Sequence, residues 1–162
     1  MSTLTADEAR EMLAYDPATG ALAWRKAVAR NVKAGGKAGS LDARGYGQVR
    51  LHRRHYMAHR LVWLLHYGEW PKGEIDHIDG NRANNRICNL REVDRSINTQ
   101  NLRRAKKNSR SGLLGVSPSG PRWQAHIQAN KEQFYLGTFS TPELAHAAYL
   151  TAKRALHPGC TI

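Results

Sequence analysis

Within one short stretch, Ile75-Asp76-His77-Ile78-Asp79-Gly80-Asn81, a carboxylate and an imidazole stand side by side at the end of an apolar run. Two amide side chains follow His77, Asn89 at twelve residues and Asn98 at twenty-one. These residue types suit hydrolysis of a phosphodiester, which needs an activated water, stabilisation of developing charge and help for the leaving oxygen. A neutral imidazole takes a proton from water near pH 7. A hard divalent cation held by oxygens neutralises the phosphate and the departing alkoxide. Singly the residues carry little weight: Asp-His pairs are common on surfaces, and Asn81, Asn84 and Asn85 are ordinary turn formers. The combination matters, and so does the frame that holds it.

Adjacent residues on a regular strand point to opposite faces. Asp76 and His77 therefore serve one site only if the strand ends or bends there, and Asp79-Gly80-Asn81 supplies such an end. Residues 74–78 read as a strand, 79–88 as a loop and 89–93 as a second strand, with Asp94 able to cap a helix over about 95–102. If that helix packs across the hairpin, the Asn98 amide oxygen can complete a metal site with Asp76. Two protein oxygens, waters and substrate phosphate suit magnesium-type coordination, with manganese as the alternative. Asn89 opens the second strand, where its amide could hold the imidazole or tie the loop.

The chain of 162 residues has 25 Lys and Arg against 13 Asp and Glu, a formal net charge of +12. That balance points to a polyanionic partner, namely nucleic acid. Cys88 and Cys160 are the only cysteines, too few for a Cys-rich zinc knuckle, and read as reduced intracellular thiols. Met1 to Glu8 lacks the charged-then-apolar pattern of a signal peptide. The longest apolar run, Leu61 to Leu65, is far short of a membrane span. A soluble intracellular protein without a membrane partner is expected.

Upstream of the constellation, Thr5-Ala6-Asp7-Glu8 has capping-box spacing for a helix over about 6–14. Asp16 to Gly20 forms a turn before a strand at Leu22-Ala23-Trp24, and residues 26–40 read as a basic loop. Gly45 to Leu51 alternates like a strand, Arg53-Arg54 turn, and His55-Tyr56-Met57 return as its partner. Residues 58–67 form the clearest helix of this half, closed by Gly68. On it, His59 and Arg60 read as a hydrogen-bonded helix-to-sheet contact in preference to a phosphate clamp. His52, Arg53, Arg54 and His55 form a cationic turn that could touch DNA, without catalytic character.

Downstream, Arg103 to Gly112 carries five positive charges, Arg103, Arg104, Lys106, Lys107 and Arg110, and no apolar residue larger than Ala. It reads as a linker, either a solvated tether or a cationic strap along a phosphate backbone. Residues 114–117, 122–129 and 133–139 fit three antiparallel strands, and Ser140-Thr141-Pro142-Glu143 starts a helix. Leu144, Ala148, Thr151, Ala152 and Ala155 form a small-residue stripe expected to pack on that sheet.

Residues 58–101 resemble HNH homing endonucleases of the ββα-metal type. The matching residues are His59-Arg60-Leu61-Val62-Trp63, Gly68-x-Trp70-Pro71, Ile75 to Asn81 with Asn84-Asn85, Asn89-Leu90 and Asn98. Tyr15-Asp16-Pro17-x-Thr19-Gly20-x-Leu22-x-Trp24 and Gly45-Tyr46 recur upstream of such domains in phage-type proteins. The resemblance implies His77 as general base, Asp76 and Asn98 as metal ligands, and Asn89 as the residue that orients His77. Many members have His at the third signature position; Asn98 here matches the subset with Asn, which leaves the coordination less fixed.

Residues 112–157 resemble Apetala-two/ethylene-response-factor DNA-binding domains. The matching residues are Gly112, Gly115-Val116, Arg122-Trp123-x-Ala125-x-Ile127, Tyr135-Leu136-Gly137-x-Phe139, and Thr141-Pro142-Glu143 with Ala145, Ala147, Ala148 and Tyr149. Such domains lay a three-stranded sheet in the major groove with the helix behind it. The resemblance implies Ser117, Arg122, His126, Gln128, Gln133 and Tyr135 on the reading face. Leu114 and Ser117 stand where Arg is usual, and Gln128 and Gln133 replace basic positions, so the target sequence cannot be borrowed from the family.

The expected fold is α+β: a basic sheet-and-helix region over 1–57, a ββα-metal nuclease core over 58–102, a basic linker over 103–111, and a three-stranded sheet with one helix over 112–162. The expected function is a site-directed, divalent-metal-dependent endonuclease on double-stranded DNA, leaving 5′-phosphate and 3′-hydroxyl ends. It would act as a monomer, with a dimer left open, in a prokaryotic cytoplasm and with phage or intron residence. The rival from another class is a DNA-binding regulator with a relict nuclease core. An RNA-binding or packaging protein would explain the charge but not the constellation.

Overall fold

Thr5 and Glu8 cap each other as their spacing requires: the Thr5 hydroxyl accepts from the Glu8 amide, and the Glu8 carboxylate accepts from the Thr5 amide. These bonds lower the Glu8 carboxyl pKa, and they open α1, Ala6–Met12. The computed structural model describes residues 4–30 and 32–161. The chain divides into two units, Met1–Asp94 and Arg95–Ile162.

In the first unit α1 stops at Met12, two residues short of the expected end, because Leu13 already pairs in a hairpin. Strands β1, Leu13–Asp16, and β2, Ala21–Trp24, run antiparallel. The Asp16 carboxylate accepts from the Ala18 amide and the Thr19 hydroxyl, closing the turn. Next come β3, Ser40–Leu41, β4, Gly47–Leu51, and β5, Arg54–Met57, in one antiparallel sheet. The β4–β5 turn falls at His52-Arg53, one residue before the expected position. Both residues have positive φ, 48° and 65°, the geometry of a tight two-residue hairpin loop, so Arg54 becomes the first residue of β5.

Helix α2, Ala58–Tyr67, has the expected bounds, with Gly68 in the left-handed conformation at its end. Leu61, Val62 and Leu64 face inward and are buried, each stabilising the unit by about 1.5–3 kcal/mol. A second hairpin, β6, Glu74–His77, with β7, Leu90–Val93, is joined by a loop ending in a 3-10 turn at Ile87–Asn89. One apolar core runs through Leu13, Trp24, Val49, Leu61, Ile75 and Leu90. The boundary expected between residues 57 and 58 is therefore no break in packing.

The second unit begins with α3, Arg95–Gln100. Strands β8, Val116–Ser119, β9, Arg122–Ala129, and β10, Glu132–Phe139, form an antiparallel sheet with β9 in the middle. Helix α4, Pro142–Leu156, starts with Thr141 capping the Leu144 amide. The stripe on α4 differs from the expectation. Leu144 is 52% exposed, Thr151 and Ala155 are exposed, and the buried residues are Ala145, Tyr149 and Lys153. The buried face is thus turned by one residue, about 100° of helix. The Tyr149 ring sits on Gly115, and Lys153 sends its ammonium to the Leu102 carbonyl. The buried face thus carries the larger Tyr149 and Lys153 beside the small Ala145.

Residues 103–111 fold into this second unit and are no free tether. Arg103 donates to the Thr161 carbonyl and hydroxyl, and the Ser111 hydroxyl donates to the Leu113 and Val116 carbonyls. The observed division after Asp94 places both α3 and the basic segment with the carboxy-terminal sheet, where the sequence suggested breaks at 102/103 and 111/112. Among the described residues no helix is long and apolar enough to cross a membrane.

Gly115 has φ +70°, and a Cβ there would stand 2.0 Å from the Tyr149 ring. Gly115→Ala is therefore expected to destabilise the protein by about 2–4 kcal/mol, combining overpacking with a left-handed backbone penalty, as read from urea denaturation.

Candidate active site

β6 ends at His77. The Ile78 amide still donates to the Asn89 carbonyl, but the Gly80 amide turns back to the His77 carbonyl at 2.8 Å, so the chain leaves the strand where the sequence suggested. Asp79 organises the loop. Its carboxylate accepts from the Asn81 amide, the Asn84 side chain at 2.7 Å and the Asn89 side chain at 2.9 Å. Burial pushes the Asp79 carboxyl up, but these hydrogen bonds outweigh it and hold the group below its ordinary range.

Asn89 is buried, and its amide is committed to this loop. Its oxygen accepts from the Asp79 amide at 3.0 Å, and its nitrogen donates to Asp79 and to the Asn84 carbonyl. Of the two roles its position allowed, tying the loop is the one these bonds perform. The amide that meets the imidazole is Asn85, whose Oδ1 lies 3.1 Å from His77 Nε2. On sequence Asn85 looked like turn chemistry. It also stands among the residues that carry the HNH resemblance, but no contact with His77 was expected of it, and the folded loop reveals that contact.

A second hairpin element steadies that loop. The Tyr15 hydroxyl donates to the Asn85 carbonyl and accepts from the Ile87 amide, and Arg86 Nε donates to the Ala18 carbonyl at 2.6 Å. Burial raises the Tyr15 hydroxyl pKa, so it stays a donor. Gly20 must lack a side chain, because a Cβ there would come within 2.6 Å of the Arg86 amide nitrogen.

The His77 ring is 4% exposed and packs edge-on against the ring of His59, with centroids 5.2 Å apart. Tyr46 leans on both rings and carries the guanidinium of Arg82 on its face at 4.7 Å. Burial lowers the His77 pKa, partly opposed by Asn85, Asp79 and Asp76, so the ring is neutral at pH 7. His59 goes further, to about 4, from burial and then from the neighbouring His77 and Arg60 charges. His59 Nδ1 finds no hydrogen-bond partner among the described residues, so the expected hydrogen-bonded contact does not hold for it. Arg60 does make a structural contact, donating to the Pro71 and Gly73 carbonyls.

Asp76 is buried and pairs across the hairpin with Arg91, whose Nε and Nη2 reach its Oδ2 at 2.9 and 2.8 Å. Among the described residues no three His, Cys, Asp or Glu side chains gather as a metal cluster. A magnesium-type ion needs few protein ligands, however, and Asp76 fits one. It offers a hard carboxylate oxygen in a buried position where a positive charge is already matched to it. Asn98 lies on α3 in the second unit, half-buried.

In the second unit the cross-strand register brings Ser117 opposite Gln124, His126 opposite Tyr135, and Gln128 opposite Gln133. Together with Arg122 these residues occupy one face of the sheet. The alternate positions Ala125, Ile127 and Ala129 are buried. Arg103, Arg104, Lys106 and Lys107 line a cavity of about 370 Å³ with Leu114 and His146, while Arg110 is exposed and does not line it.

Residues 56–100 match the family described as HNH endonuclease. The chain is 37% identical over 102 residues to "Protein 3.8" of Escherichia phage T7, covering 61% of this chain and 83% of that protein. It is 38% identical over 76 residues to YosQ of the SPbeta prophage in Bacillus subtilis (strain 168), named as a candidate HNH homing endonuclease. That match covers 46% of this chain and 43% of YosQ. No solved structure matches the chain significantly.

The buried His59 ring makes stability depend on pH. Unfolded, a histidine takes up its proton below about pH 6.5; folded, His59 does so only near 4. Between those values the unfolded chain binds more protons, so stability is full above pH 6.5 and falls as pH drops towards 4. At pH 5 the loss is expected to be about 2 kcal/mol. His59→Phe should remove most of it, and equal acid sensitivity in both proteins by thermal melting would contradict this origin.

Proposed function

We propose that this chain, which carries an HNH endonuclease domain and belongs to one family with protein 3.8 of phage T7, is a site-directed, divalent-metal-dependent endonuclease on double-stranded DNA. The observation that carries the reading is the neutral, buried His77 at the end of β6. Its ring is met by Asn85, and it stands next in sequence to the one buried carboxylate of that hairpin, Asp76.

With Asn85 Oδ1 against Nε2, that nitrogen donates, and the neutral imidazole so held is the group that takes the proton from the attacking water. The edge-on packing against His59 and the contact with Asn85 fix the ring plane. Asn89, by closing the loop, positions Asn85 and so acts on His77 at one remove. Asp76 would hold the divalent cation, which when bound supplies positive charge to the phosphate and the departing 3′ oxygen. Attack by water at phosphorus with departure of that oxygen leaves 5′-phosphate and 3′-hydroxyl ends.

Site choice is assigned to the carboxy-terminal sheet. Support comes from the polar face made by Ser117, Arg122, His126, Gln128, Gln133 and Tyr135, with α4 packed against the same sheet. The cationic segment with Arg103, Arg104, Lys106, Lys107 and Arg110 suits phosphate contacts. Similarity to phage and prophage proteins supports action in a prokaryotic cytoplasm, and one copy of the core supports a monomer that nicks once per binding event.

Plasmid cleavage with magnesium, manganese or EDTA tests the chemistry. Wild type should cut only with metal, and His77→Ala should be slower by about 10²–10⁴-fold while binding DNA equally well. Metal-independent cutting, or equal cutting by both proteins, would sink the mechanism; binding without cutting under any metal would favour a regulator. For the sheet, Gln128→Ala should weaken binding by about 1–3 kcal/mol on preferred sites and broaden the cleavage pattern, while metal dependence is unchanged. An unaltered pattern would remove the reading role from that face.

A further inference from the structure

Resting on Asp76 as the metal-holding carboxylate, we propose that Arg91 exchanges partners during the catalytic cycle. It holds Asp76 in the free protein and moves to a substrate phosphate oxygen when DNA arrives, so that metal and DNA load together.

The geometry sets up such an exchange. Asp76 and Arg91 are register partners in β6–β7, and both guanidinium contacts converge on a single carboxylate oxygen, Oδ2. The Asp76 side chain is 7% exposed and that of Arg91 28%. A carboxylate so buried needs compensating charge, and the Arg91 guanidinium supplies positive charge to it. A divalent ion on the same carboxylate places like charges side by side, which weakens the hold of the guanidinium on Asp76. A phosphodiester offers another anion: Arg binds phosphate oxygens with the fork geometry it uses on carboxylates. The partly exposed Arg91 can reach outward, whereas Asp76 cannot. No covalent bond is made or broken in the exchange: the Asp76–Arg91 pair gives way to Asp76 with metal and Arg91 with phosphate.

The consequence is reciprocal coupling. Without DNA, Arg91 competes with the metal and weakens its binding; with DNA, the competitor is drawn away, and by linkage metal strengthens DNA binding by the same factor. The site would therefore stay metal-poor until substrate is in place.

The test uses the full chain in a His77→Ala background, so that bound DNA is not cut. Manganese binding to DNA-free protein is followed by electron paramagnetic resonance of the free ion, and binding to a labelled non-specific duplex by anisotropy with and without manganese. Relative to the parent, the further change Arg91→Gln is expected to tighten manganese binding about five- to tenfold without DNA and to flatten the effect of manganese on duplex affinity. Asp76→Asn is expected to abolish manganese binding. If Asp76→Asn loses the metal but Arg91→Gln binds it no tighter, the exchange is wrong and Asp76 remains the ligand. If Asp76→Asn binds manganese like the parent, the metal assignment fails and the exchange with it. Should Arg91→Gln fold poorly by circular dichroism, the parent alone still decides: duplex affinity indifferent to manganese overturns the coupling.

Discussion

The site depends on one buried amide. Asn89 uses its oxygen on the Asp79 amide and its nitrogen on the Asp79 carboxylate and the Asn84 carbonyl, so one side chain pulls the two ends of a ten-residue excursion together. Inside a protein such bonds are costly to lose, because the partners left behind are desolvated. With the loop closed, β6 and β7 pair in register, Asp76 meets Arg91, and Asn85 meets the imidazole. Remove the closure and the strand end no longer has a defined shape. The Asn89 contacts, which do not touch His77, thus bring Asn85 to the ring that it meets.

The electrostatics follow from the same enclosure. Two imidazoles and a phenol ring share a small apolar space, and burial makes protonation of either histidine unfavourable. Cationic groups then gather at the edge and not the centre: Arg82 on the face of Tyr46, Arg91 on Asp76. The result is a neutral imidazole in an enclosure with guanidinium groups at its margin, a charge distribution that attracts an anion.

Much of this was legible from the sequence wherever local chemistry decides structure. The capping box, the helix from Ala58 to the left-handed Gly68, the strand ending at His77 and the three carboxy-terminal strands all follow from residues close together in the chain. Legibility failed where partners are distant or where size overrode pattern. Asn85 and His59 come to His77 only through folding, from a loop and from another helix. Arg91 is silent in sequence because cross-strand register, not spacing, gives it Asp76. On α4 the regular spacing of small residues misled, since the tyrosine and the lysine at neighbouring positions had more surface to bury. The basic segment after α3 read as a linker, tether or cationic strap, because composition cannot report hydrogen bonds such as those from Arg103 and Ser111.

The contacts of Tyr15, Ala18 and Gly20 with residues 85–87 bear on how such a motif can travel between genes. A stretch bounded at residue 56, as the family match is, omits the hairpin that props the asparagine loop. Recombination that transferred only the matched stretch would deliver the signature letters without their scaffold. The structural unit that shapes the loop is therefore longer than the matched stretch and takes in the β1–β2 hairpin, Leu13–Trp24.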